Sequence, residues 1–189
     1  RRLLASGYDK SVDIVWRFKV NEHNQQMLTK DCLAPFLNGH SAGVISEAGL
    51  PCVADPGYSV VRLAHQHDIQ VCPLVGESSL MLALMASGLQ GQQFTFHGYL
   101  PVKELELKKK VLEIEKQAQK GYTQIFIETP YRNERLLQFL VRFCQSELLL
   151  CIASSLLTDE ERIATHPIHY WKLHPPVLKN KPAVFLLGT

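Results

Sequence analysis

Apolar positions along this chain follow two rhythms. Unbroken apolar runs fall at 42–46 (AGVIS), 69–75 (IQVCPLV), 94–100 (FTFHGYL), 123–129 (TQIFIET), 147–154 (ELLLCIAS) and 182–188 (PAVFLLG). Each is short, bounded by turn residues and apolar on both faces, which predicts strands covered on both sides. Weaker patterns predict strands at 12–18 (VDIVWRF) and within 163–171 (IATHPIHYW). A helical period runs through 23–37, with Pro35 as a disturbance and Asn38-Gly39 as the stop. Residues 2–6 read as the end of another helix that stops near Gly7.

Between the runs lie further helices. In DPGYSVVRLAHQHD, Asp55 is a predicted N-cap and Pro56 sits at the first helical position, where its missing N–H is not needed. Val60, Val61 and Ala64 fall on one face of that helix. GESSLMLALMASG is a loop entering an apolar helix closed by Gly88. Residues 103–120 form a charged amphipathic helix, and YRNERLLQFLVRFC another. Strand and helix alternate, which predicts an α/β fold with right-handed crossovers and a mostly parallel sheet. The texture changes after Pro101, so a boundary is expected near 98–103. It separates an N-terminal α/β domain (1–100) from a C-terminal α/β domain (101–189).

Composition narrows the picture modestly. The 189 residues are 46% hydrophobic and 20% charged, ordinary for a globular protein with a sizeable core. A net charge of +2 is too small to mark a nucleic-acid binder, so any RNA partner needs a local basic patch. The five cysteines are odd in number, widely spaced and without a CxxC pair. That pattern argues against a zinc site or a disulfide framework and for buried thiols in a cytoplasmic protein. No apolar run approaches the roughly 20 residues of a membrane span, and no signal peptide is visible. His65 and His67 are two apart on a helix, so they face different ways and are expected in solvent rather than on a metal.

The candidate chemistry lies where strands end. In open α/β sheets, ligands bind beyond the carboxyl ends of the strands. The compliant stretch ISEAGLPCVADPG (45–57) follows one predicted strand, and the GESSL turn, with Ser78 and Ser79 near a helix start, follows the next. Small residues there let backbone groups approach a ligand closely. Both loops are therefore expected on the same edge. Neither is a GxGxxG dinucleotide fingerprint nor a Walker phosphate loop.

Four motifs in order carry a family resemblance. ISEAGLPCVADPG is similar to the ISDAGTPxxSDPG signature of the tetrapyrrole (corrin/porphyrin) methylase superfamily. PLVGESSLMLALMASG resembles PLPGxxAxxxALxxSG, FTFHGYLP resembles FxFxGFLP, and IFIETPYR resembles IFYESPHR. Within the superfamily they look like the branch that holds the bacterial small-subunit ribosomal RNA (cytidine) 2′-O-methyltransferase. The resemblance implies two α/β domains with S-adenosylmethionine (SAM) in the cleft between them, and commonly a homodimer. Carried over by position, SAM contacts would fall on Ala48, Gly49, Leu50 and Val53, on Ser78 and Ser79, and on Glu128, Ser155 and Leu156. The departures are Glu47 for Asp, Leu50 for Thr, Tyr131 for His, and SLLTDEER for the branch's ELTKxxEE. The opening strand with its Pro-x-Gly motif has no match, so that strand is expected to be missing.

Methyl transfer from a sulfonium needs orientation and exclusion of water rather than a metal. A 2′-hydroxyl acceptor gains from a general base. Glu47, Asp55, Glu128 and Arg132 are the polar groups expected near the cleft, with helix capping as the competing role for Asp55. The implied acceptor is ribosomal RNA. A small tetrapyrrole-type acceptor and a catalytically idle SAM-binding paralogue are the alternatives. Lys103 and Lys108–Lys110 are interleaved with glutamates and read as a solvated helix face. Tyr131, Arg132 and Arg135 are candidates for an RNA-facing surface.

Overall fold

The computed structural model describes residues 37–189, so the elements expected at 2–6 and 12–18, and all but the last residue of the helix expected at 23–37, lie outside the described residues. The chain divides into two compact units, 1–75 and 76–189. Residues 76–100, expected with the first domain, contribute a helix and a strand to the second unit.

In the first unit, Gly39 takes a left-handed turn at φ +79° at the predicted stop. A series of turns from 47 to 57 leads into helix α1 (Tyr58–Gln66). Ala64 is buried, and Val60 and Val61 are half-buried beside exposed Arg62 and His65, as the apolar face predicted. The helix ends because Asp68 turns left-handed at φ +54°. Ile69 N–H then reaches Ala64 O at 2.9 Å and Asp68 N–H reaches His65 O at 3.3 Å, a Schellman closure. His65 and His67 are exposed, as expected.

The runs at 42–46 and 69–75 are not strands, contrary to their pattern. Ile45 is 76% exposed and Leu74 88% exposed. An apolar run becomes a strand only where a neighbour takes up its N–H and C=O groups, and neither run is paired among the described residues.

The second unit is built on one five-stranded sheet in the order β1-β2-β5-β3-β4. The strands are β1 (Phe94–Tyr99), β2 (Thr123–Ile127), β3 (Leu149–Ser154), β4 (Arg162–Pro167) and β5 (Ala183–Gly188). Helix α2 (Ser79–Ser87) precedes β1, α3 (Glu104–Ala118) joins β1 to β2, and α4 (Asn133–Phe143) joins β2 to β3. The short α5 (Ile168–Leu173) follows β4. The stretch 163–171 is thus half strand and half helix. Gly88, at φ +72°, ends α2 as predicted. In β1, Gly98 at φ +65° sits where the register against β2 slips between Phe96 and Tyr99.

The sheet is mixed, not mostly parallel as expected. β1 and β2 run parallel, while β5 enters antiparallel between β2 and β3, and β4 is antiparallel to β3. Both faces are covered, as the unbroken apolar runs predicted. Phe126, Leu150, Ile152, Phe185 and Leu187 face one core with Leu107, Val111 and Ile114 of α3 and Leu136 and Leu140 of α4. Ile125, Cys151, Ala153, Val184 and Leu186 face the other with Leu80, Ala83 and Leu84 of α2. Trp171 Nε1–H donates to Leu150 O at 2.9 Å, which satisfies its one donor inside the core.

The thiols only partly follow expectation. Cys151 is buried, Cys52 and Cys144 are half-buried, and Cys72 is exposed because its run forms no strand. Burial, with the Glu115 carboxylate beside it, pushes the Cys144 thiol up to about 12. Among the described residues no helix is long and apolar enough to cross a membrane.

Candidate functional site

In the first unit the stretch 45–57 is a wound loop, not plain coil. Ser46 Oγ–H donates to Gly49 O at 2.7 Å and is 3.3 Å from Ala48 O, which folds the chain back at Gly49 (φ +70°). Cys52 and Ala54 are also left-handed, at φ +68° and +52°. That conformation costs a residue with a Cβ roughly 1–2 kcal/mol, so something must hold it. Asp55 supplies the hold: its Oδ2 accepts from Cys52 N–H and Gly57 N–H, each at 2.9 Å. The predicted N-cap therefore acts on the loop, and α1 starts later, at Tyr58 behind Gly57. Gly57 is glycine for want of space. A Cβ there would stand 2.7 Å from Asp55 Oδ2 and 2.9 Å from Val44 Cγ1.

The result is a pinned loop with an open crest. Glu47, Ala48, Gly49 and Val53 are exposed and Leu50 is half-buried. Burial, with the Asp55 charge adding to it, raises the Cys52 thiol above its ordinary range, so this sulfur is no thiolate nucleophile at neutral pH.

In the second unit, topology gathers the remaining residues. β2 and β3 both run antiparallel to β5, hence parallel to each other, and β1 is parallel to β2. The carboxyl ends of β1, β2 and β3 therefore share one edge, where ligands bind in sheets of this kind. Leu100–Pro101, Glu128–Thr129 and Ser155–Leu156 leave from that edge. Helix α2 is tied at its far end to the opposite edge, with Leu89 against Gly188. Its start, with half-buried Ser78 and exposed Ser79, points back toward the shared edge. Leu156 packs on the same core as α2.

Two of these ends are braced. Ser155 is left-handed at φ +52°, buried, and held by its N–H on Pro182 O at 2.9 Å. Its own carbonyl accepts from Thr158 Oγ1–H at 2.8 Å. Leu157, also left-handed, donates its N–H to Glu161 Oε2 at 2.8 Å. Lys181 pairs with Glu160 at 3.0 Å across the same corner.

Glu128 is 7% exposed. Its Oε1 accepts from Thr129 N–H at 2.7 Å, and its Oε2 accepts from Arg132 Nη2–H. A turn over Pro130–Arg132 makes the pair possible, bringing the guanidinium back over the strand end. A recess beside it is lined by Pro101, Val102, Leu107, Arg132, Arg135 and Leu136, with Glu128 at its floor. Next in the chain, fully buried Asn133 donates from Nδ2 to Lys181 O at 2.7 Å, while its Oδ1 has no partner.

Sequence reasoning missed Ser46, Asn133 and Glu161. Ser46 carries the familiar signal of a hydroxyl ahead of a glycine turn. Asn133 and Glu161 bond partners that only the fold supplies. Among the described residues, no group of three His, Cys, Asp or Glu side chains is placed to hold a metal ion.

No family model matches the chain. Ribosomal RNA small subunit methyltransferase I of Vibrio cholerae is 35% identical over 151 residues, 80% of this chain and 51% of that protein. The protein of the same name from Escherichia coli O157:H7 is 30% identical over 80% of this chain and 52% of that protein. The chain thus spans about half the length of the curated relatives it matches. Among solved structures, the methyltransferase CobJ superposes with a TM-score of 0.57 at 18% identity, over 84% of this chain and 69% of that chain. Uroporphyrin-III C-methyl transferase from Thermus thermophilus, complexed with S-adenyl homocysteine, gives 0.52 at 18% identity, over 90% of this chain and 75% of that chain. The structural likenesses show a shared α/β fold. With the sequence relatives they bear out the resemblance drawn from the four motifs.

Proposed function

We propose that this chain, a relative of the ribosomal RNA branch of the tetrapyrrole methylase superfamily, belongs to a SAM-dependent methyltransferase acting on a ribose 2′-hydroxyl of ribosomal RNA. The observation that carries the reading is the 30–35% identity to proteins named ribosomal RNA small subunit methyltransferase I. The pinned loop and the braced strand ends support it.

The residues suit a nucleoside with a charged tail. The crest at Ala48 and Gly49 is small and exposed, so its backbone groups are open to a ligand. The exposed hydroxyl of Ser79 stands at the start of α2, where backbone N–H groups are unpaired. On the first unit Leu50 and Val53 add apolar surface to the proposed SAM contacts, and on the second the proposed contacts are Ser78, Ser79, Glu128, Ser155 and apolar Leu156. SAM, when bound, supplies the methyl group of its sulfonium.

The chain's own residues would orient and desolvate. Asp55 holds the left-handed loop and so fixes the crest. Arg132 neutralises Glu128 and fixes the floor of the second edge. Of the four polar candidates, Asp55 is engaged by the Cys52 and Gly57 N–H groups, and Glu128 and Arg132 by each other. Glu47 is exposed beside the crest and is the carboxylate we assign to accept the hydroxyl proton. A homodimer in the cytoplasm, beside its ribosomal substrate, belongs to the same reading.

Calorimetric titration of SAM into the protein tests the pocket. Transfer of labelled methyl groups to small ribosomal subunits lacking the modification tests the acceptor. Saturable binding with transfer is expected, and Glu47→Gln should lower kcat with little change in SAM affinity. Binding without transfer to any RNA would favour an idle paralogue or a small-molecule acceptor. No SAM binding to the folded protein would sink the reading.

A further inference from the structure

We infer that the turn Pro130–Arg132, the first turn of α4 and the recess beside them form a docking surface for single-stranded RNA. Tyr131 stacks on a base, and Arg135 with Arg132 meets the phosphates. The inference rests on the reading above and deepens it by naming the surface that holds the acceptor strand.

Tyr131 is 73% exposed on a short, well-braced turn. The turn carrying Tyr131 runs directly into the helix, and Arg132 and Arg135 both line the recess beside that turn. Arg135 is exposed and makes no ion pair among the described residues. Arg132 spends Nη2 on Glu128 and keeps further N–H donors at the recess wall. Because Glu128 is buried and also accepts from Thr129, it holds that guanidinium in place before any ligand arrives.

Between the arginines the recess is apolar, with Pro101, Val102, Leu107 and Leu136. Val102 is 57% exposed, so this wall is open to solvent. Glu128 offsets the charge of Arg132, Glu106 lies 3.5 Å from Lys103, and exposed Glu134 neighbours Tyr131 along the turn, so the positive charge left at the recess is that of Arg135.

A flat aromatic ring, two guanidinium groups and an apolar wall match an unstacked base and its flanking phosphates. An acidic peptide would satisfy the arginines but would leave the exposed ring without a role.

The test is fluorescence anisotropy with a short, mixed-sequence, single-stranded oligoribonucleotide on the wild-type protein, Tyr131→Ala, Tyr131→Phe and Arg135→Ala. SAM calorimetry on the same samples runs beside it. Tyr131→Ala should weaken RNA binding by about fivefold or more, and Tyr131→Phe should bind like wild type. Arg135→Ala should weaken binding several-fold and flatten the slope of log affinity against log salt by about 0.7. All three should bind SAM as wild type does, which excludes misfolding.

RNA binding unchanged in both alanine variants would overturn the inference and leave the methyltransferase reading intact. A wild-type protein that binds SAM but no RNA would overturn the inference and the RNA acceptor together. Displacement of the oligonucleotide by poly-glutamate at equal charge would overturn it in favour of an acidic protein partner.

Discussion

Leu74 and Val75 end an apolar run in the first unit and stand 88% and fully exposed, whereas every residue of the similar run at 183–188 in the second unit is buried. The two runs differ little in length or apolar content. They differ in neighbours. β5 is hydrogen-bonded on both sides, by β2 and β3, and is roofed on both faces by helices. The run at 69–75 has no pairing strand among the described residues. The hydrophobic effect drives a side chain out of water, but a strand also needs a partner for each backbone polar group. What the first unit does hold firmly, the loop at 45–57, it holds with side-chain bonds to backbone instead of a ladder.

The largest test of that contrast is in the cores. Phe185, fully buried and stacked on Phe126 at 5.9 Å between ring centres, should lose about 3–5 kcal/mol on change to Ala. Leu74→Ala should stay within about 0.5 kcal/mol. Urea unfolding of both variants reads the difference, and equal losses would break the comparison. Next is Arg132→Ala, which strands a buried carboxylate. The Arg132 side chain is 20% exposed, so a loss of about 3 kcal/mol, at the low end for a buried pair, is expected. Adding Glu128→Leu should recover part of it; no recovery would mean that Arg132 matters for packing alone.

Gly57→Ala should cost about 1–3 kcal/mol, because its Cβ meets Asp55 and Val44. Gly91→Ala, with nothing within 4 Å, serves as the control and should be near neutral. If the loop is held as described, Gly57→Ala also speeds amide exchange at Cys52 and Gly57. The smallest effect is a pH slope. Desolvation lowers the pKa of His97 below 6.5, against a weaker opposing pull from its 2.8 Å bond to Gln124. As pH falls through 6.5, the unfolded chain takes the proton before the folded one does. Stability should therefore decline from there until the folded-state pKa is passed. Unfolding midpoints from pH 8 downward should show this, and His97→Gln should flatten it.

Much of the second unit was legible because its signals are local. The buried face of α3, the stop at Gly88 and the strand that leads to Glu128 each follow from neighbours within a few residues. Strand order is not local. Nothing in AVFLLG says that it inserts antiparallel between two strands synthesised long before it. The left-handed Cys52, Ala54, Ser155 and Leu157 were hidden for another reason. Their side chains carry no preference for that conformation, and it is imposed by Asp55, Thr158 and Glu161 acting from elsewhere in the loop. The candidate residues could be named from motifs. The bonds that fix them could not.

The position of β5 has a consequence for biosynthesis. The central strand of the sheet is the last to be made, after β1 and β2 on one side of it and β3 and β4 on the other. Until residues 183–188 leave the ribosome, the nascent chain carries two separate strand pairs, each with an unmatched edge. At ordinary elongation rates the first pair waits on the order of ten seconds for its partner. Over that interval Phe126 and Ile152 have no Phe185 between them. That interval leaves apolar strand faces uncovered, the condition under which nascent chains aggregate or engage chaperones.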